Sequence, residues 1–264
     1  MNVAPQTPVS DSGWALITGA SSGIGYELAK LFAADHFNVV LVARREERLR
    51  QLESELREQY RIETRVLVQD LSQPDAAQRI FSALAEVPIR FLINNAGFGY
   101  LAPFAEEDLA VSVDLMNVNM ASLVKLTRLF AEPMARRRKG YILNVASTAA
   151  FQPGPFTAMY YSSKAFVFSF SVALGEELKG TGVSVTVLCP GFTKTEFQFR
   201  SKMERPSRWM PCMSAESVAR AGYAGLLHRR RIVIPGLLNK IGAALSSRLS
   251  PLMTARIVRK INGH

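Results

Sequence analysis

Trp14-Ala15-Leu16-Ile17-Thr18-Gly19-Ala20-Ser21-Ser22-Gly23-Ile24-Gly25 decides how this chain reads. Five residues without a charge run into a turn punctuated by three glycines, and a helical pattern follows to Ala34. Glycine in such a turn supplies positive φ and lets backbone approach a neighbour closely. Similar apolar runs recur at Asn38–Ala43, Thr64–Gln69, Ile89–Ile93, Tyr141–Val145, Val183–Leu188 and Arg231–Ile234. Most are rich in Val, Ile and Leu without polar alternation, as expected of parallel strands covered on both faces. Amphipathic stretches separate them; in Arg45–Gln59, Leu49, Leu52 and Leu56 recur at helical spacing. The pattern predicts an α/β fold with a doubly wound parallel sheet.

At 264 residues, with 48% hydrophobic and 20% charged, the chain can bury one large core and is not disordered. We expect an arm over 1–12, one Rossmann-type domain over 13–236 and a basic helical appendage over 237–264. Two cysteines exclude a disulfide scaffold, and three histidines lack metal-ligand spacing, so no metal is expected. Met1 to Gly13 shows neither a basic nor an apolar leader region. The longest uncharged run, Gly140 to Ser163, is broken by Asn144, Pro153, Gly154 and Pro155. These features lead to the expectation of a soluble, cytoplasmic protein. The net charge of +10 is uneven: from Ser217 onward there are nine Arg or Lys and no acid.

The glycine loop admits two chemistries. Free N–H groups and a partial positive charge at the following helix N-terminus suit a pyrophosphate. Gly19-Ala20-Ser21-Ser22-Gly23 also matches the G-x-S-x-G elbow of hydrolases. That rival is poorly placed, because the loop follows the first strand, and His228 and His264 sit in no convincing catalytic loop. After the second strand an NAD binder carries an acid for the ribose 2′-hydroxyl. Here Ala43-Arg44-Arg45 stands instead, and an arginine can pair with a 2′-phosphate. NADP(H) is the expected cofactor. Further on, Tyr160 and Lys164 are four apart and share a helix face. A nearby ammonium would bring the phenol toward acid–base work nearer neutrality. Tyr161 has Ala165 at the same offset, so Tyr160 is the candidate.

Thr18–Gly25, Asn94-Asn95-Ala96-Gly97, Asn119, Ser147, Tyr160, Lys164 and Pro190-Gly191, taken in order, resemble the short-chain dehydrogenase/reductase set over about residues 13–236. The resemblance implies that Tyr160 exchanges a proton with a substrate oxygen which Ser147 also holds. It implies that Lys164 serves the Tyr160 pKa and the nicotinamide ribose, and that Asn119 holds a water in a proton relay. Cofactor contacts would come from Gly19, Ser21, Ser22, Gly23, Ile24, Gly25, Arg44, Arg45, Asp70, Leu71, Asn95, Ala96 and Gly97. Tyr160, Lys164, Pro190, Gly191, Thr193 and Thr195 would complete them. No basic residue precedes Gly23, so the choice of cofactor would rest on Arg44, Arg45 and Ser21. Ala146 replaces a second serine found in many relatives and leaves the spacing to Tyr160 intact.

The expected partner is a small, apolar carbonyl or alcohol, recognised between Phe192 and Met213 with Phe98, Tyr100, Phe151 and Phe156. Phe197, Phe199, Met203, Trp209 and Met210 suit an adaptable apolar lid. The alternative is a non-catalytic NADP-binding regulator, which would be expected to lack Tyr160 or Lys164. Helices over Leu109–Arg136 and Thr157–Lys179 correspond to those that relatives pair into homodimers or homotetramers, and Phe166, Phe168 and Phe170 cannot all face inward. In the tail, Leu238, Ile241, Leu245 and Leu249 form a stripe with Lys240 opposite, and Pro251 should break it. Packing of that stripe on the body or a neighbouring subunit is preferred over peripheral contact with an anionic membrane. Nucleic acid is not expected, since no aromatic residue interleaves the basic ones after Tyr223.

Overall fold

The computed structural model describes residues 13–197 and 212–263. Its strands are β1 (Trp14–Thr18), β2 (Asn38–Ala43), β3 (Thr64–Val68), β4 (Ile89–Asn94), β5 (Gly140–Val145), β6 (Val183–Leu188), β7 (Thr193–Lys194), β8 (Met213–Ser214) and β9 (Ile232–Val233). Seven of them form one all-parallel sheet in the order β3-β2-β1-β4-β5-β6-β9, and β7 pairs with β8 apart from it. The helices are α1 (Gly23–Ala34), α2 (Glu46–Tyr60), α3 (Ala76–Ala83), α4 (Leu109–Met116), α5 (Ser122–Arg136), α6 (Ala158–Glu177), α7 (Ala215–Leu227), α8 (Leu237–Ser246) and α9 (Pro251–Asn262).

Alternate strand residues feed two cores, since successive side chains leave opposite faces. Ala15, Ile17, Val39, Leu41 and Phe91 meet α1, α2 and α7 on one face; Phe32 stacks there against Phe37, Phe91 and Tyr223. Leu16, Val40, Leu92 and Ile142 meet α3 and α5 on the other. Leu49, Leu52 and Leu56 are all buried, each contributing roughly 1.5–3 kcal/mol. Among the described residues the helical run Leu109–Arg136 is long and apolar enough to cross a membrane. Its Leu123, Leu126, Phe130 and Met134 are instead buried on the sheet and on α6.

Strand order reverses between β1 and β4, so the loops leaving their carboxyl ends diverge and open a crevice, where ligands of such sheets bind. Polar residues knit that edge. The Asn94 amide donates to Thr127 Oγ1 (3.0 Å) and Asn144 Oδ1 (2.9 Å), and the Asn144 amide donates to Ser171 Oγ (2.9 Å). This buried chain ties β4, β5, α5 and α6 together.

Half of one expectation fails. The stripe Leu238, Ile241, Leu245 and Leu249 does not pack on this chain's own body; all four side chains are exposed. The reason is that α8 rests on the protein through Asn239, Ala243 and Ser246, which occupy the other side of the helix. The segment does break ahead of Pro251: α8 ends at Ser246, and Pro251 opens α9 as an early helical residue behind a Ser250 cap, where its missing N–H costs no bond.

Asn94→Ala should leave Thr127 and Asn144 without a buried donor and cost about 1–3 kcal/mol. A thermal melt lowered by several degrees is the expected result, and an unchanged midpoint would contradict it.

Candidate active site

The β1–α1 loop is shaped by contacts no side chain could share. Gly19 and Gly23 have φ of 67° and 60°, where L-residues are strained. A Cβ on Gly25 would lie 2.5 Å from both Gly19 O and Asn95 Nδ2. Thr18 Oγ1 donates to Ile93 O (3.2 Å) and accepts the N–H groups of Asn95 and Ala96 (both 3.0 Å). Asn95 Nδ2 donates back to Thr18 O (2.9 Å), so the loops after β1 and β4 form one unit. Ser22, the residue before α1, is extended and makes no side-chain cap, and the first turn of α1 carries no acid. The first N–H groups of α1 therefore face outward without a carboxylate beside them, as a bound pyrophosphate requires.

Arg45 reaches across this loop. Its guanidinium donates to Ser21 O (3.3 Å), Ser21 Oγ (3.1 Å) and Glu196 Oε2 (2.7 Å), while its buried Nε has no hydrogen-bond partner. Arg44 is exposed, 3.9 Å from Asp70. The Leu71 carbonyl accepts from Ser122 Oγ (2.6 Å). Thr195 lies against Gly23, and Thr193 Oγ1 donates to Gly191 O (2.9 Å). The groups around Ser21 fit the phosphates of a nicotinamide dinucleotide: a cradle closed to any Cβ, uncapped N–H groups, and an arginine with an unsatisfied buried donor.

Across the crevice, α6 brings Lys164 under the β5 end. Lys164 is buried and its Nζ donates to Val145 O (2.9 Å) and sits 5.8 Å from the centre of the Tyr160 ring. A Cβ on Gly97 would meet Asn119 Oδ1 at 3.1 Å and Lys164 Nζ at 3.2 Å, so these groups converge. Ser147 accepts the Ala149 N–H (3.1 Å), approaches Pro190 O (3.4 Å) and hydrogen-bonds Tyr160. Tyr161 turns the other way, packing on Gly154 and bonding Gln152 and Asn262. The helix face that the sequence assigned to Tyr160 is the one turned to the crevice.

Charge behaves differently from the sequence expectation. Burial pushes the Tyr160 phenol up to about 12, a rise that the Ser147 bond only partly offsets. Burial also pushes the Lys164 ammonium down to about 8. Lys164 Nζ lies 5.8 Å from the centre of the Tyr160 ring, and burial is the larger influence on the phenol. Asn119 is also busier than expected. It lies in a π-helical turn, Asn117–Ala121, and its side chain accepts the Phe98 N–H (3.0 Å) and donates to Phe98 O (2.9 Å) and Ser163 Oγ (3.0 Å). Its side chain is thus a clamp between the β4 loop and α6.

Ser163 and Asn144 were given no role from sequence, and Thr18 entered only as the first residue of the glycine motif. Thr18 was legible as the residue before the first glycine; Asn144 offered only its polarity inside an apolar run. Phe197 lies 5.5 Å from Tyr160, ring to ring, while the Met213 N–H donates to Phe192 O (2.9 Å) and the Met213 side chain packs on the core. Phe199, Met203, Trp209 and Met210 fall outside the described residues. No cluster of three metal-ligating side chains occurs among the described residues.

Residues 13–205 match the family model described as short chain dehydrogenase. The chain belongs to that family. It is similar to the very-long-chain 3-oxoacyl-CoA reductase of Anas platyrhynchos, 37% identical over 227 residues, which cover 84% of this chain and 72% of that one. Matches to the further curated relatives span 62% to 67% of their lengths, about two thirds. Among solved structures, a 7beta-hydroxysteroid dehydrogenase is 28% identical with TM-score 0.85, covering 93% of this chain and 96% of that one. A short-chain dehydrogenase from Sphingobium yanoikuyae in complex with NADPH is 30% identical with TM-score 0.81, covering 90% and 96%. The short-chain dehydrogenase is accordingly an oxidoreductase between alcohol and carbonyl carbon that uses a nicotinamide dinucleotide.

The cytoplasmic expectation is corrected by these relatives. It rested on a missing leader and a missing apolar run, whereas the relatives are named for very-long-chain acyl substrates. Acyl chains favour a bilayer over water by about 0.8 kcal/mol per CH₂, so a purely cytoplasmic setting does not fit that chemistry.

The Lys164 value has a signed consequence. Below about pH 8 the ammonium is charged in the free protein; above it, binding an anionic dinucleotide must also take up a proton. Affinity for NADPH should hold steady below pH 8 and decline above it. Fluorescence titration measures this, and Lys164→Met should flatten the decline while weakening binding throughout. A decline unchanged in that variant would assign the titration elsewhere.

Proposed function

We propose that this chain is an NADPH-dependent reductase of an apolar 3-oxoacyl thioester or a similarly bulky ketone. The observation that carries the proposal is the convergence of Ser147, Tyr160 and Lys164 at the carboxyl edge of the sheet, facing the Gly19–Gly25 loop across the switch point. In this reading residues 13–236 hold cofactor and chemistry, and 237–264 are an addition to them. The named relatives and the Phe197 ring beside Tyr160 support the substrate class.

NADPH would supply the hydride to the carbonyl carbon. The remaining work belongs to side chains of this chain. Tyr160 Oη, protonated at neutral pH, gives its proton to the carbonyl oxygen. Ser147 Oγ donates to the same oxygen and steadies its growing charge, releasing its long contact to Pro190 O. Lys164 would hold the ribose hydroxyls of the bound cofactor and return a proton to the phenol. Asn119 fixes the position of Phe98 and Ser163. Arg45, Ser21 and Arg44 would hold the 2′-phosphate, with Glu196 giving up its place on Arg45. A regulator without turnover would need none of the Ser147–Tyr160–Lys164 arrangement.

The test is NADPH consumption with 3-oxoacyl-CoA substrates of increasing length. Rates should rise with chain length, and Tyr160→Phe should nearly abolish them while NADPH binding persists; Tyr161→Phe should be mild. No turnover with any member of the series, or a dead Tyr161→Phe beside an active Tyr160→Phe, overturns the reading. Arg45→Ala should cost roughly ten- to a hundredfold in kcat/KM with NADPH and little with NADH. Glu196→Gln, which removes the carboxylate competing for Arg45, should shift preference further toward NADPH. Equal kcat/KM for both cofactors in the unmodified protein would refute the assignment.

We also propose a homodimer or homotetramer through α4–α5 and α6. Leu109, Val113 and Phe166 are exposed there, and Phe166 stacks on Phe170 at 5.9 Å. Sedimentation showing only monomer at micromolar concentration would contradict it.

A further inference from the structure

The two C-terminal helices present their side chains the wrong way round for a free protein surface. Surface helices bury an apolar stripe and expose a polar one. Here α8 lies on the body through Asn239, Ala243 and Ser246; Asn239 Nδ2 donates to Pro235 O (2.7 Å) and Ser246 Oγ to Gln152 Oε1 (2.7 Å). Its outer side carries Leu237, Leu238, Ile241 and Leu245, exposed to 71%, 64%, 47% and 55%. In α9, Thr254, Val258 and Asn262 face the body, with Asn262 Nδ2 donating to Pro155 O (3.1 Å) and Thr157 Oγ1 (3.3 Å). Leu252, Met253, Ile257 and Ile261 are exposed. So much neighbouring apolar surface is unusual on a soluble monomer and marks something that covers it.

The charges around this surface decide what the cover is. Lys240, Arg248, Arg256, Arg259 and Lys260 accompany the apolar side chains, and no acid occurs after Glu216. An open recess of about 510 Å³ between Phe156 and Gly263 is lined by Arg256, Arg259 and Lys260. A second copy packed face to face about a two-fold would set these cations against their own equivalents with no carboxylate from this surface to neutralise them. An anionic bilayer meets both demands, accepting the leucines between its chains and pairing the cations with its phosphates.

We propose that α8 and α9 dock this protein on an anionic lipid surface, with Leu237, Leu238, Ile241 and Leu245 inserted and the basic side chains on the headgroups. Both helices are tied to the Gln152–Thr157 segment that joins Ser147 to Tyr160. Docking therefore sets that segment against the lipid and opens the crevice toward a substrate dissolved there.

The experiment is flotation of the full-length protein with vesicles of phosphatidylcholine alone or with roughly 30% phosphatidylserine added. The protein should float with the anionic vesicles and be released at about 0.5 M salt. The triple variant Leu238→Ser, Ile241→Ser, Leu245→Ser should stay at the bottom while its circular dichroism and its NADPH affinity are unchanged. Lys240→Gln with Arg248→Gln should weaken binding by roughly tenfold or more and answers the question even if the triple variant is insoluble. No flotation at low salt, equal flotation with neutral vesicles, or flotation of both variants like the parent overturns the proposal. A dimer that the triple variant dissolves, without flotation of the parent, would identify a second copy as the cover. Flotation needs no turnover, so it stands or falls apart from the reductase reading.

Discussion

The hydroxyl of Thr18 holds together the two loops on which the site is built. It sits at the end of β1, gives its proton to the β4 backbone and takes two N–H groups from the chain leaving β4. Those bonds pull Asn95 so close to Gly19 and Gly25 that neither position has room for a side chain. The glycines are thus a consequence of the loops being joined, as much as a provision for a ligand. With the loops fixed, the N-terminus of α1 points into the crevice and Gly97 is brought against Asn119 and Lys164. A single oxygen atom couples the place for phosphates to the place for proton transfer.

Burial sets the electrical state of the far side. Lys164 leaves water for a position with one carbonyl as hydrogen-bond partner, and the cost appears as an ammonium that releases its proton near 8. The same environment keeps Tyr160 protonated, as a proton donor must be before reduction. For both groups the loss of water outweighs the neighbouring charges and hydrogen bonds. An anion arriving in the crevice changes this balance in favour of the charged lysine, so cofactor and catalytic residue are electrically linked.

Much of this could be read from the sequence because parallel strands buried on both faces announce themselves as uninterrupted apolar runs. The strand limits agree to within a residue or two, from Trp14–Thr18 to Ile232–Val233, and the i, i+4 rule chose Tyr160 over Tyr161. Contacts between distant segments were not legible: nothing in Asn144 reveals that its amide meets Asn94 and Ser171. Adjacent Arg44 and Arg45 look equivalent in sequence, yet one faces solvent and the other crosses the glycine loop. Periodicity located the stripe in the tail but gave no sign of which side touches the body, so the body, a neighbouring subunit and a membrane all stayed open as its cover. The cellular setting was argued from missing features, which is a weaker warrant than the acyl substrates named for the relatives.

The π-helical turn at Asn117–Ala121 changes the phase of a long helix. A π-helical turn takes in one residue more than an α-turn, so every later side chain lags by about 100° behind where an unbroken α-helix would place it. On its two sides α4 leaves Leu109 and Val113 exposed while α5 buries Leu123, Leu126 and Phe130. Asn119 lies within the irregular turn, and its buried side chain reaches the Phe98 backbone and Ser163. Loss of a single residue from this turn would let one regular helix run through it with both flanking faces kept in place, so the position disturbed would be that of Asn119. The irregular turn thus absorbs a residue that neither face needs, at the point where the helix reaches the β4 loop and α6.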